Sequence, residues 1–370
     1  MTKPKLRKET ILLNMGPQHP STHGVIDFFL EVDGEEVVGA EVKMGYLHRA
    51  VERLAEFRTY PQIFPLVDRL DYLSAHHSEF AYALAVEKLL QVDVPERADH
   101  IRVILVELKR IASHLLFYGA FAMDAGSVTP FLYAWREREK VMDLLEDVCG
   151  IRLHPNYFRF GGVREDLPPG FLEQTINFVD KLPFFLDEYQ AMLGENEIFQ
   201  VRTIGIGKVS PKRAINLGLT GPYLRGTGLK WDLRRDEPYS VYPKFDFEIP
   251  TGKQGDCFDS YKVRIEEMRQ SGRIIKQAIE KIPDGPIRTS LPKKVIKPPK
   301  GEAYARVESP RGELGVYVVS DGSARPYRLK VRAPSFTNVQ AFPELARNHL
   351  IADAVMIIGA LDPVIGEVDR

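Results

Sequence analysis

The chain has 370 residues, of which 44% are hydrophobic and 27% are charged, so it is long enough to bury a large core. Its 50 basic and 51 acidic residues give a net charge of -1. This balance argues against bulk electrostatic binding to nucleic acid or to anionic lipid. The two cysteines, Cys149 and Cys257, are far apart and outside any CxxC motif, which excludes a disulfide framework, a zinc site or a set of iron–sulfur ligands. A reducing compartment is therefore expected.

We expect neither a targeting sequence nor a membrane span. The basic residues 1–10 are not followed by an apolar signal core. The longest apolar runs, such as residues 355–361, fall far short of the roughly 20 residues that a spanning helix needs. A function at a membrane would therefore require docking through partners.

The first forty residues have the pattern of β-strands. Apolar runs at residues 11–14, 25–32 and 37–42 predict three strands. A loop with two glycines and two prolines, residues 16–24, separates the first two runs. Residues 1–44 are therefore predicted to form an N-terminal β unit with a polar loop.

Residues 45–283 are predicted to form a helical core. Apolar residues repeat at three- and four-residue spacing over residues 101–123, which predicts a buried helix. Three more helices are predicted, and their approximate ranges are 130–148, 172–193 and 258–282. In the last of them, Arg264, Glu267 and Arg269 are placed on exposed faces. Residues 208–251, rich in glycine, proline and aromatic residues, predict a long ordered loop.

The C-terminal part returns to β-structure. Residues 283–301, with five prolines and four lysines, predict an exposed crossing. Residues 302–370 predict a β-hairpin, a third strand near residues 327–331 and short helices. The predicted fold class is α+β, with a central buried helical bundle and small antiparallel sheets from both ends, in a single domain of residues 1–370.

The loop at residues 16–24 is the first candidate for chemistry. It holds His19 and His23 beside two hydroxyl groups, and histidine has the ordinary pKa nearest neutrality, so the loop could exchange protons with a ligand. The alternative is a rigid turn whose histidines bond to the backbone. The pair is a weak metal signal, because no cysteine or carboxylate stands beside it.

Three further groups leave a structural and a chemical interpretation open. Residues 67–72 are predicted to begin a helix. In the structural interpretation, the acidic residues of this first turn interact favourably with the helix dipole. In the chemical interpretation, Tyr72 presents its phenol to a cavity. Asp124 follows the most apolar helix, and it is either a helix-end residue or a buried carboxylate that needs a partner such as histidine. His154 lies in an aromatic-rich segment that is either a packed turn or part of a site.

Seven motifs, taken together in chain order, resemble one family. They are GPQHPSTHG at 16–24, GYLHR at 45–49, DRLDY at 68–72, HPNYFRFGG at 154–162, GDCFDSY at 255–261, ESPRGELG at 308–315 and DP at 362–363. Their order over nearly the whole chain resembles the D subunit of complex I, the 49-kilodalton-type subunit of NADH:quinone oxidoreductase. That family is similar in fold to the large subunit of nickel–iron hydrogenases.

The resemblance implies a pocket that holds no metal. Hydrogenases bind their metals through two CxxC motifs, and the corresponding places here resemble residues 68–72 and 362–366. Neither place contains cysteine, whereas a nickel–iron centre needs thiolate ligands. The resemblance therefore implies no metal ligands in this chain. It also implies that the emptied pocket binds the headgroup of the substrate, quinone.

The resemblance also implies roles for individual side chains. His23 and Tyr72 resemble the residues that bond the two quinone carbonyls, and Asp124 resembles the carboxylate that partners the histidine. These three are the expected catalytic residues, and His19 lines the same loop. At these positions the chain shows no departure from the family pattern.

Partners and electron supply follow from the same resemblance. Arg69 and His154 match positions beside a 4Fe–4S cluster that belongs to a neighbouring protein of the complex. The implied partners are the iron–sulfur B subunit, the C and I subunits and the membrane H subunit, on the cytoplasmic side of the plasma membrane. Three alternatives stay open: a hydrogenase large subunit, a component of a ferredoxin-linked hydrogenase-related complex, and a scaffold that holds no substrate.

Overall fold

The fold begins with a three-stranded antiparallel sheet. The computed structural model describes residues 10–291 and 295–370, so the basic residues 1–9 and part of the proline-rich crossing lie outside the described residues. The strands of the described residues are β1 (Ile11–Met15), β2 (Gln18–His19), β3 (Gly24–Val25), β4 (Asp27–Asp33), β5 (Glu36–Lys43), β6 (Phe158–Arg159), β7 (Gly162–Val163), β8 (Gly301–Ser309), β9 (Gly312–Ser320) and β10 (Arg328–Arg332). In the first sheet β4 lies between β1 and β5. Alternate residues of β4, namely Phe28, Leu30 and Val32, are buried, as expected for a sheet with one face on the core. The three predicted N-terminal strands are confirmed.

The helices cover most of the middle of the chain. They are α1 (Val51–Glu56), α2 (Tyr60–Val67), α3 (Ala75–Leu90), α4 (Glu96–Asp124), α5 (Thr129–Cys149), α6 (Phe171–Tyr189), α7 (Glu197–Thr203), α8 (Pro211–Asn216), α9 (Gly221–Gly226), α10 (Leu233–Asp236), α11 (Cys257–Lys281), α12 (Pro334–Val339), α13 (Phe342–Leu345), α14 (Ile351–Leu361) and α15 (Ile365–Asp369). The 29-residue α4 lies at the centre and contacts α3, α5, α11 and α14. Its side chains are buried around almost the whole helix, because neighbouring elements cover every face.

The turn between α2 and α3 differs from the prediction. The sequence predicts that a helix begins over residues 67–72, but α3 begins only at Ala75, and residues 68–74 form the connecting turn. The carboxylate of Asp71 accepts the backbone N–H groups of Leu73 and Ser74 at 3.1 Å each, and also the Ser74 hydroxyl. These local hydrogen bonds replace those of a helix.

The segment over residues 208–251 is ordered, as predicted, but it is not a plain loop. It contains α8, α9, α10 and a 3₁₀ turn at Tyr242–Lys244. Arg225 of this segment bonds Glu267 on α11, with Nε to Oε1 at 2.9 Å. The segment therefore covers one face of α11.

One prediction about α11 is wrong. Arg264 and Glu267 are buried, with 2% and 0% of their surface exposed, instead of facing solvent. Arg269 is partly exposed and pairs with Asp187 at 2.7 Å. Charged residues at helical spacing usually mark a solvated face, but here each buried charge has a partner far along the chain.

The C-terminal elements complete an α+β architecture. β9 lies between β8 and β10 in an antiparallel sheet, and β8 packs against α3. α14 packs against α4, and α15 follows it after a short turn. The carboxylate of Asp369 accepts the N–H groups of Gly45 at 2.8 Å and Leu47 at 2.6 Å, so the last helix is joined to the start of the helical part.

In the described part of the chain, no helix combines the length and the apolar character needed to cross a membrane.

Candidate functional site

The loop between β1 and β4 holds His23 in a fixed backbone geometry. The Thr22 hydroxyl lies 2.8 Å from the carbonyl oxygen of His19 and 2.7 Å from that of Gly24, which closes a tight turn. His23 adopts a φ of 55°, in the left-handed region. Gly24 lies against Ile365 of α15 so closely that a side chain at Gly24 would overlap it. The loop therefore rests on α15, while the exposed His19 lies on β2 at the outer part of the loop.

His23 and Asp124 form a hydrogen-bonded pair. The distance from His23 Nε2 to Asp124 Oδ2 is 2.9 Å, and the side chains are 17% and 7% exposed. Burial lowers the pKa of His23, but the hydrogen bond and charge of Asp124, with the charge of Asp362, outweigh it, so the pKa is raised. A Cβ at Gly359 would lie 2.5 Å from Asp124 Oδ2, so this glycine permits the close packing of α14 on the pair. Asp124 is therefore a buried, partnered carboxylate at the end of α4.

Tyr72 lines a separate cleft. The cleft has a volume of about 230 Å³, and it is also lined by Leu47, Arg49, Val51, Leu54, Leu66, Arg69, His154, Gly366 and Arg370. Burial raises the pKa of Tyr72, and the charges of Asp71 and Asp362 add to this effect while Arg311 opposes it. The phenol is therefore protonated at neutral pH and available as a donor.

Arg69 and His154, which both line this cleft, lie near the carboxylate of Asp68. Arg69 Nη1 bonds Asp68 Oδ1 at 2.9 Å, and His154 Nδ1 lies 3.9 Å from the same oxygen, too far for a hydrogen bond. Burial raises the pKa of Asp68 to about 7, against the opposing charge of Arg69. Burial and the charge of Arg69 lower the pKa of His154. At neutral pH the cleft therefore carries the guanidinium of Arg69 beside a mainly neutral imidazole.

Sequence reasoning missed a third part of the site, the buried Arg311. Its guanidinium lies in the turn between β8 and β9 and contacts Asp71 at 3.0 Å and Asp362 at 3.2 Å. Asp71 belongs to the turn that carries Tyr72, and Asp362 lies between α14 and α15. The ESPRGELG motif contained this arginine, but nothing in its local pattern indicated burial.

The two cysteines lie in different surroundings. Cys149 Sγ is 3.6 Å from His76 Nε2, whereas Cys257 Sγ is 3.7 Å from the carbonyl oxygen of Met356. Burial raises the pKa of Cys149 to about 12. Within residues 10–291 and 295–370, no three His, Cys, Asp or Glu side chains are grouped closely enough to hold a metal ion.

Comparison with known proteins gives the family. Residues 124–298 and 290–370 match the family model described as respiratory-chain NADH dehydrogenase, 49 Kd subunit. A relative from Desulforamulus reducens, the D subunit of its NADH-quinone oxidoreductase, is 53% identical over 364 residues, covering 98% of this chain and 99% of the relative. This chain belongs to that family.

Two further relatives carry the same name. The D subunit from Clostridium beijerinckii is 50% identical over 366 residues, covering 99% of both chains. The D subunit from Geotalea uraniireducens is 48% identical over 386 aligned residues, covering 98% of this chain and 99% of the relative. The family drawn from the seven motifs is thereby confirmed, and the chain is a subunit of the NADH:quinone oxidoreductase type.

Proposed function

We propose that this chain is the quinone-reducing core subunit of a proton-pumping NADH:quinone oxidoreductase, and that it acts only within the assembled complex. The observation that carries the proposal is that the chain holds two possible donors, the imidazole of His23 beside a buried carboxylate and the protonated phenol of Tyr72 in its cleft. Both side chains feel the charges of the same pair, Arg311 and Asp362. The names of the relatives support quinone as the substrate.

The chemistry of quinone explains why two such donors are needed. Two-electron reduction places negative charge on both quinone oxygens unless protons follow. A protonated His23 and the phenol of Tyr72, each directed at one oxygen, would stabilise that charge and could supply the two protons. His19 would line the outer part of the same loop. Asp124, whose Oδ2 lies 2.9 Å from His23 Nε2, raises the pKa of His23 and so favours its protonated form.

Proton donation would also change the balance of charge around the loop. When His23 gives up its proton, the buried Asp124 loses its positive partner. At an effective dielectric constant near 20, a unit-charge contact at ~4 Å is worth roughly 4 kcal/mol. A change of this size is large enough to move the loop that carries His23, which offers a route for coupling quinone reduction to proton pumping in membrane partners.

The cleft beside Tyr72 would face the electron source. Its lining includes the arginines Arg49, Arg69 and Arg370, with His154. A 4Fe–4S cluster in the neighbouring B subunit would supply electrons there, and positive side chains nearby favour its reduced state by Coulomb attraction. The C and I subunits and the membrane H subunit would be the other neighbours, with the chain bound peripherally on the cytoplasmic side of the plasma membrane.

The fold and the domain organisation belong to the same proposal. The buried apolar residues of the N-terminal sheet, the helices and the C-terminal sheet form one connected core, which supports a single domain of residues 1–370. The proposal includes a hydrogenase-like fold, in which residues 68–72 and 362–366 would line the former metal pocket; neither segment contains cysteine, so that pocket would offer no thiolate to a nickel–iron centre.

Tyr72→Phe in the intact complex tests the proposed function. The change removes one phenolic donor and keeps the ring, and one such donor is worth about 3 kcal/mol, or roughly a hundredfold in rate. Quinone reduction should fall by that factor, while reduction of an artificial electron acceptor by NADH is unchanged. Tyr327→Phe, at a tyrosine that is 70% exposed, is the matched control. Near-normal turnover of Tyr72→Phe with a short-chain quinone would exclude Tyr72 from the site.

A further inference from the structure

All three nitrogen atoms of the buried Arg311 guanidinium donate hydrogen bonds. Nη1 donates to Asp71 Oδ2 and to the Ser113 hydroxyl, both at 3.0 Å. Nη2 donates to Asp362 Oδ1 at 3.3 Å, and Nε donates to the Asp362 carbonyl oxygen at 3.0 Å. With 1% of its surface exposed, Arg311 is held entirely by protein groups.

The acceptors belong to the three elements that carry the candidate site. Asp71 precedes Tyr72 and fixes the turn over residues 68–74 through its bonds to Leu73 and Ser74. Ser113 lies on α4, which ends at Asp124. Asp362 opens the turn before α15, the helix on which the His23 loop rests. One guanidinium therefore connects these three elements.

The charges around the two donors are shared. His23 faces Asp124 from α4, Asp362 from the turn before α15 and Arg311 from the hairpin turn. Tyr72 faces Asp71 from its own turn and the same Arg311 and Asp362. A second buried arginine, Arg264 of α11, donates Nη2 to the carbonyl oxygen of Ala360 at 3.2 Å and lies 4.0 Å from Asp362.

We infer that Arg311 is a positioning residue, which fixes the turn of Tyr72 relative to the His23–Asp124 pair so that both donors reach one substrate molecule. That the two donors act on one substrate rests on the proposed function. That Arg311 connects the turn of Tyr72 to α4 and to the turn before α15 does not. Lysine could keep the charge, but its single nitrogen cannot reproduce the planar fork that bonds Asp71 and Asp362 at once. Position and charge can therefore be separated by substitution.

The test compares Arg311→Lys with Arg311→Met in the assembled complex. Misplacement of a reacting group by about 1 Å can cost on the order of a hundredfold in rate, so both variants should lose quinone reduction on that scale. The charge of Arg311 lowers the pKa of His23, so its removal raises that pKa. The alkaline fall in rate should therefore move to higher pH in Arg311→Met and stay in place in Arg311→Lys.

Hydrogen exchange of the intact complex gives a readout that does not depend on quinone. Backbone amides of residues 68–74 and 362–366 should exchange faster in Arg311→Lys. Arg234→Lys is the matched control, since Arg234 is equally buried and pairs with Asp232 and Glu107, and it should leave those amides and the pH profile unchanged. If the Arg311 variants do not assemble, Asp71→Asn is the second variant to measure. It weakens only the contact between Arg311 and Asp71, and it should raise hydrogen exchange in residues 68–74.

The results distinguish the positioning role of Arg311 from the proposed function of the site. Unchanged exchange in residues 68–74 in both Arg311→Lys and Asp71→Asn overturns the positioning role. Faster exchange with normal quinone turnover in Arg311→Lys also overturns it, provided that Tyr72→Phe is slow. If Tyr72→Phe is also normal, the connection through Arg311 stands and the proposed function of the site fails.

Discussion

The buried pair of His23 and Asp124 determines what the site can do with protons. Asp124 raises the pKa of His23 against the effect of burial, so the imidazole stays charged at a higher pH than an isolated buried histidine would. Asp124→Asn removes that charge and should lower the pKa of His23. Quinone reduction should therefore fall most on the alkaline side, where the wild-type imidazole is still protonated.

A double-mutant cycle on quinone reduction across the neutral pH range measures this coupling. His23→Ala should be damaging, and adding Asp124→Asn should cost little more because the two side chains act together. Asp143→Asn, at an aspartate on α5 that is 69% exposed, serves as the control. Additive losses with an unchanged pH profile in Asp124→Asn would mean that Asp124 is only a helix-end residue.

Individual side chains of the site were predictable from motifs and not from local pattern. His23 and Asp124 are separated by 101 positions, so periodicity alone could not bring them together, and only the family resemblance did so. Arg311 was missed because an arginine in a hairpin turn is usually exposed. Its burial depends on Asp71 and Asp362, 240 and 51 positions away.

A buried carboxylate on α4 holds the segment over residues 208–251 in place. Glu107 accepts hydrogen bonds from Tyr242 at 2.7 Å and Ser271 at 2.6 Å, and it pairs with Arg110 at 3.1 Å and Arg234 at 3.2 Å. Burial alone would raise the pKa of Glu107, but the two arginines outweigh burial and hold the pKa well below its usual range.

Glu107→Gln should therefore destabilise the protein. The two arginines would be left without a buried counter-charge, a change that typically costs about 3–5 kcal/mol in the free energy of unfolding. Residues 208–251 should be cleaved more readily in limited proteolysis, and the thermal midpoint should fall. Glu248→Gln, at a side chain that is 79% exposed, is the control. A wild-type midpoint and cleavage pattern in Glu107→Gln would show that this network contributes little.

Long elements were predicted more accurately than turns. The apolar repeat predicts the end of α4 to within one residue but its start five residues late, and the strand runs predict the first sheet to within two residues. The sequence predicts a helix where the turn over residues 68–74 lies, because the hydrogen bonds from the N–H groups of Leu73 and Ser74 to Asp71 have no periodic signature. The short helices in residues 208–251 depend on bonds to α4 and α11, which local sequence does not encode.

Among the residues that the structure describes, no three His, Cys, Asp or Glu side chains lie close enough together to hold a metal ion. Cys149 lies beside His76 and Cys257 beside the backbone of Met356, whereas a nickel–iron centre needs several thiolates together. Elemental analysis should find no nickel in the intact complex, and no stoichiometric iron or zinc in the separated chain. One tightly held transition metal per chain would contradict this interpretation of residues 68–72 and 362–366.

The contact of Asp369 with Gly45 and Leu47 spans 324 and 322 positions of the chain. On the ribosome, residues 362–370 emerge after all that precede them, although N-terminal parts begin to fold first. Until then the His23 loop lacks Ile365 beneath it, and the turn of Tyr72 lacks the close contact between Gly366 and the Leu70 carbonyl. A neighbouring protein that recognises this face would therefore meet its finished shape only after residues 362–370 have packed against the His23 loop and the turn of Tyr72.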